Sequence, residues 1–158
     1  MDQRDEIFMT EALNLAQLSI KQGDGGPFGA VIVLHGQILG RGWNQVIKRN
    51  DPTAHAEILA IRDACSKAAS YHLPGSVLYT TCEPCPMCLS AAYWAHIGRL
   101  VYAAKADDAA AIGFNDSYIL GELCMPMDKR GIITQQLFRE RSLDLFNQWQ
   151  ASDKRVDY

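Results

Sequence analysis

The chain lacks any apolar run long enough to cross a bilayer, and its start, Met1-Asp2-Gln3-Arg4-Asp5-Glu6, lacks the apolar core of a secretory signal. These absences predict a cytoplasmic protein with no membrane partner. Positive charge is not in excess either: 15 Lys and Arg stand against 18 Asp and Glu, a formal net charge of -3. Clamping a phosphate backbone needs concentrated Lys and Arg, so no nucleic-acid partner is expected. The glycines around Asp24 form neither Gly-x-x-x-x-Gly-Lys-Ser/Thr nor Gly-x-Gly-x-x-Gly, which excludes the common phosphate cradles and leaves a flexible turn. No linker, repeat or low-complexity stretch divides the 158 residues, so one domain is expected, long enough to bury about 70% of its unfolded surface. Cysteine is sparse and odd in number, at five, which fits a reducing compartment. Cys65 and Cys124 read as buried small hydrophobes rather than disulfide partners.

What the chain does contain is a pair of motifs. Asp51-Pro52-Thr53-Ala54-His55-Ala56-Glu57 supplies His-x-Glu, and Thr81-Cys82-Glu83-Pro84-Cys85-Pro86-Met87-Cys88 supplies Pro-Cys-x-x-Cys. Zinc prefers imidazole and thiolate, and a catalytic zinc keeps three protein ligands with a fourth tetrahedral position open to water. His55, Cys85 and Cys88 make that set, with no separate Cys-x-x-Cys or His pair elsewhere in the chain to close it. Cys82 falls at an expected strand end, and His72 has neither a neighbouring carboxylate nor a helix start. Cys85 and Cys88 open one expected helix, running through Trp94. Asp51-Pro52-Thr53 reads as the cap and first turn of another, whose apolar positions Ala54, Ile58, Ile61, Cys65 and Ala68 follow helical spacing. Glu57 falls close enough to meet the metal's water without being a ligand, and so becomes the natural proton carrier.

Elsewhere, Asp5 to Lys21 predicts an amphipathic helix, and Phe28 to Leu34 with Gln37 to Trp43 predicts a hairpin through His35-Gly36. Asn44 reads equally as a turn cap and as a base-edge contact, since an amide both donates and accepts. Ser76 to Thr80 and the apolar Arg99 to Ala104 are further strands, the second read as buried. Gly113 to Tyr118 is expected to cover the strand ends where such sheets bind ligands, although Asp116 by spacing alone is a helix cap. Ile132 to Leu137 is expected as a fifth strand, Leu143 to Trp149 as a last helix and Lys154 to Tyr158 as a tail. Strands alternating with helices predict an α/β fold, a three-layer α/β/α sandwich on a mixed sheet of about five strands.

Along nearly its whole length the sequence resembles bacterial guanine deaminases of the cytidine-deaminase-like superfamily. Asp51 to Glu57 is shared with tRNA adenosine deaminases. Gly25-Gly26-Pro27-Phe28-Gly29-Ala30, the Ala-x-x-x-Gly-Phe-x-Asp-Ser pattern from Ala109 to Ser117 and the short tail ending in Tyr158 are similar to the guanine branch. The resemblance implies one zinc per subunit on His55, Cys85 and Cys88, Glu57 as proton shuttle and Asp116 as the guanine-specific acid. It further implies purine contacts from Phe28, Asn44, Ala56, Trp94 and Asp116. A homodimer is also implied, with a C-terminal helix and tail over 138–158 closing the pocket through Tyr158, including by exchange between subunits. The implied reaction is hydrolysis of guanine, a small-molecule purine base, to xanthine and ammonia. The rivals are a tRNA adenosine deaminase, a deaminase of an aminotriazine or cytosine, and a zinc-stabilised binding module.

Overall fold

The structure, a computed structural model, describes residues 3–157. Tyr158 therefore lies outside the described residues. Chain order is α1 (Gln3–Gln22), β1 (Gly29–Leu34), β2 (Gln37–Trp43), α2 (Val46–Arg49), α3 (Ala56–Ala68), β3 (Val77–Cys82), α4 (Pro86–Trp94), β4 (Arg99–Ala104), α5 (Ala106–Ala111), α6 (Ser117–Cys124) and α7 (Arg139–Gln150). The segment up to Asp116 and the segment from Ser117 form separate compact units.

In the first unit the sheet order is β2-β1-β3-β4, antiparallel except for the parallel β3–β4 pair. The β1–β2 hairpin turns at His35 and Gly36, with φ of 50° and 75°; positive φ at both central residues is what a tight two-residue hairpin turn requires. Side chains alternate across the strands and feed two cores. On one face Val31, Val33 and Tyr79 pack with Leu15 of α1. On the other, Ala30, Ile32 and Leu78 pack with Ala56, Ala60, Ile61 and Ala64 of α3 and with Ala92 of α4. At Gly40 and Gly42 a Cβ would collide with the backbone of α3 at Ala60 and Ala56, so these glycines let helix and sheet approach closely. The start of α1 is tied down by Asp5, which accepts from the Arg99 guanidinium at 2.6 and 3.1 Å and from the Tyr79 hydroxyl at 2.6 Å.

The three layers and mixed sheet match the expectation, with corrections. The described residues hold four strands, not five: Ile132 to Leu137 forms no strand, and Ile133 is 97% exposed. An apolar β-branched run becomes a strand only where an open edge accepts its hydrogen bonds. β4 is an edge strand with Tyr102 and Ala103 exposed, rather than a buried one. Helix α3 begins at Ala56 instead of Asp51, because the Asp51 carboxylate closes a local turn by accepting from the Thr53 N–H at 2.8 Å and hydroxyl at 2.7 Å. Cys124 is exposed and Cys65 only half-buried. No helix among the described residues is long and apolar enough to cross a membrane.

The loop from Gly23 to Phe28 is pinned rather than flexible. The Ser19 hydroxyl, fully buried on α1, lies 2.9 Å from both the Gly26 and Asn44 carbonyls. The Asp24 carboxylate accepts from the Trp43 indole N–H at 2.7 Å and from Lys48 at 3.0 Å, while its backbone carbonyl accepts from the N–H groups of Ile47 and Lys48. The Trp43 hydrogen bond, reinforced by Lys48, holds the Asp24 carboxyl below its ordinary value of 3.8. With the folded value depressed, its contribution to stability is present above pH 3.8 and is lost as pH falls through the lower folded value. Asp24→Asn should therefore lower the urea midpoint at neutral pH, and the gap from wild type should close below pH 3.8. A gap that stays constant across the acid range would disprove this.

The second unit comprises α6, a single 3-10 turn at Met127–Lys129, and α7. Its internal ties include the Thr134 hydroxyl to the Met127 carbonyl at 3.0 Å and the Arg155 guanidinium 4.9 Å over the Trp149 ring. None of its described residues is buried, including Tyr118, Leu120, Leu137, Phe146 and Trp149.

Candidate active site

Two helix starts converge behind the sheet. His55 is the N-cap of α3 and Cys85 the N-cap of α4, and their carbonyls accept the first intrahelical bonds, from Leu59 at 3.0 Å and Leu89 at 2.9 Å. Pro86 sits at the first helical position, where its missing N–H has no intrahelical partner to lose. Cys88, one turn further along α4, is buried and directed back to the same point.

The donor atoms of His55, Cys85 and Cys88 lie within 4.8 Å of one another. His55 Nδ1 is 3.5 Å from each sulfur. Bond lengths of about 2.0–2.1 Å to nitrogen and 2.3 Å to sulfur around a tetrahedral zinc place those donors about 3.6 Å apart. The donor set thus fits zinc in both chemistry and spacing, and also fits a site kept open at its fourth position. The sulfurs share their charge unequally: the Cys88 thiol donates to Cys85, and with His55 this holds Cys85 down to about 4 against the cost of burial. Cys88, as donor, is pushed up, with burial and the charge of Glu57 acting the same way. His55 is raised by its bond to Cys85, with burial opposing and the charges of Glu57 and Asp116 adding to the rise.

Glu57 lies on the first turn of α3 and is only 6% exposed. Its Oε1 accepts from the Thr80 hydroxyl at 2.9 Å and its Oε2 lies 3.4 Å from Cys88 Sγ. Burial pushes its carboxyl above the ordinary range.

These groups open onto a cavity of about 500 Å³ whose lining includes Phe28, Asn44, His55, Glu57, Cys85 and Asp116. Ligand cavities run from about 300 to 1,000 Å³, so a single heterocycle suits it. Phe28 meets Phe114 edge to face, with ring centroids 4.9 Å apart, and together they form an aromatic wall. Asn44 is buried, and its side-chain oxygen accepts from the Gly26 and Val46 N–H groups, each at 3.2 Å. The amide is therefore not free to present both of its ends, as its composition alone suggests: the oxygen is taken by backbone, and the NH₂ is left for a ligand acceptor. A Cβ on Gly25 would fall on that oxygen.

Two expected contacts are not in the lining. Ala56 is fully buried and packs beneath Gly42 in the core, whereas Trp94, in the last turn of α4, is 67% exposed. Phe114 and Thr80 also belong to the site, although their sequence context marks them only weakly. The glycine-flanked aromatic in Gly113-Phe114 was the available signal for one, and a hydroxyl on a core-facing strand position for the other. Cys82 lines the cavity, but its sulfur lies 3.6 Å from the Lys105 carbonyl and is outside the three-donor cluster.

A mixed sheet with two helix starts delivering His-x-Glu and Cys-x-x-Cys to one cavity defines a zinc-binding deaminase domain. A family model described as the cytidine and deoxycytidylate deaminase zinc-binding region matches residues 2–104, and the chain belongs to that family. Among its relatives is the guanine deaminase of Bacillus subtilis (strain 168), 46% identical over 153 residues, or 97% of this chain and 98% of the relative. An X-ray structure of guanine deaminase from Bacillus subtilis superposes with a TM-score of 0.94 at 45% identity, covering 100% of this chain and 99% of that one. The tRNA-specific adenosine deaminase of Haemophilus influenzae is 36% identical, over 97% of this chain and 88% of its own.

The donor geometry predicts that Cys85→Ser and Cys88→Ser each lose most bound zinc, whereas Cys82→Ser retains the wild-type content. Metal analysis of the purified proteins checks this; equal loss at position 82 would place that sulfur among the ligands.

Proposed function

We propose that this protein hydrolyses guanine to xanthine and ammonia, with His55, Cys85 and Cys88 holding zinc and Glu57 moving protons. The observation that carries the reading is a buried carboxylate beside a three-donor zinc set, opening onto a cavity sized for one base. The near-full-length similarity to a guanine deaminase directs the choice of base. When bound, zinc lowers the pKa of a water ligand to about 7, which makes the nucleophile available at neutral pH. Glu57 accepts one proton of the attacking water and delivers it to a ring nitrogen, then takes the second from the added hydroxyl and delivers it to the departing amine. The water's oxygen becomes the new carbonyl at C2, and the C2–N bond breaks to release ammonia. Phe28 packs against the base and the Asn44 NH₂ donates to an acceptor on its edge. Asp116 accepts from the lactam N–H and amino group. Adenine has no lactam N–H, so it would leave that carboxylate without its partner.

The same reading assigns the C-terminal segment to a partner copy. A segment whose described residues include no buried one, yet carry Tyr118, Leu120, Phe146 and Trp149, cannot stabilise itself by apolar burial. A homodimer that exchanges these segments would cover them, with Tyr158 closing the pocket.

Zinc-loaded protein incubated with guanine, adenine, cytosine and guanosine should release ammonia chiefly from guanine. Preference for another base would reject the assignment. Asp116→Ala should keep its zinc and lose about 10- to 1,000-fold in kcat/KM for guanine, the scale of a buried group left without its partner. Retention of full activity would remove Asp116 from the mechanism. Binding of tRNA at physiological salt would instead favour a tRNA deaminase.

A further inference from the structure

On β3, Leu78 faces the α3 core and Tyr79 the α1 core, and alternation places Thr80 with Leu78, on the face that packs against α3. Thr80 is 0% exposed and shares that face with Ala30, Ile32 and Leu78. Val would fill the same volume there without a hydroxyl to desolvate. A buried hydroxyl without a partner costs on the order of 1–3 kcal/mol, so its presence calls for a compensating bond. That bond is the 2.9 Å contact to Glu57 Oε1.

We propose that Thr80 is a positioning residue for Glu57. The proposal rests on the reading of Glu57 as the proton carrier. The Thr80 hydroxyl donates to Oε1, which fixes the place of the carboxylate and restrains its rotation about the terminal bond. A carboxylate has about four lone-pair sites, so it keeps acceptor capacity towards the cavity it lines. Thr80 belongs to the rigid centre of the sheet, paired with Ala30 on one side and Tyr102 on the other. The sheet, rather than the helix that carries Glu57, thus sets where the proton is handed over. Thr80 touches no reacting atom and works only through Glu57.

The test uses full-length, zinc-loaded protein carrying Thr80→Val, Thr80→Ser or Glu57→Ala, with guanine kinetics and zinc content measured on each. Thr80→Val should keep zinc and KM while kcat falls by about 10- to 100-fold, the scale of a reacting group misplaced by about 1 Å. Thr80→Ser, which restores the hydroxyl, should recover most of that loss. If Val at this position prevents folding, Thr80→Ser and Thr80→Ala, which differ by one hydroxyl, make the same comparison. Wild-type kcat in Thr80→Val, or a loss accompanied by zinc depletion or a matching rise in KM, would overturn the role of Thr80 alone. Turnover surviving in Glu57→Ala would instead overturn the underlying assignment of Glu57.

Discussion

Three donor atoms held within 4.8 Å of one another set the terms for the rest of this fold. Two sulfurs and an imidazole so close together repel or share protons unless a cation balances them, and the opposed shifts of Cys85 and Cys88 express that tension. The sheet order follows as a means of bringing them together. The parallel β3–β4 pair needs a crossover, and α4 supplies it with the cysteines at its start. α3, packed on the same sheet face, brings His55 and Glu57 from the other direction.

The parts of the site that depend on local chemistry were legible in the sequence. His-x-Glu and Pro-Cys-x-x-Cys carry their spacing with them, and His35-Gly36 carries the backbone freedom of its turn. Features decided by distant neighbours were less legible. Ile132 to Leu137 has the composition of a strand, but no sheet edge pairs with it. Trp94 follows the cysteines closely, yet nine residues of helix carry it away from the metal end of α4. The segment around Asp24 has a loop's composition, while much of its order comes from Trp43 and Lys48, which lie 19 and 24 residues beyond Asp24.

Asn44 shows how position changes chemistry. An amide offers a donor and an acceptor, but here backbone N–H groups from both sides occupy the oxygen. The aromatic wall has a comparable origin, since a Cβ on Gly26 would run into the rings of both Phe28 and Phe114. One short glycine stretch therefore shapes both the polar and the apolar sides of the cavity.

Retuning such a cavity to a different heterocycle cannot be a matter of exchanging one amino acid. A replacement at position 44 without an equivalent oxygen would release the Gly26 and Val46 amides at the same moment that it altered base selection. New preferences on this scaffold would have to arise together with a rebuilt main chain at positions 23–28, so substrate choice here is inherited through backbone architecture as much as through side chains.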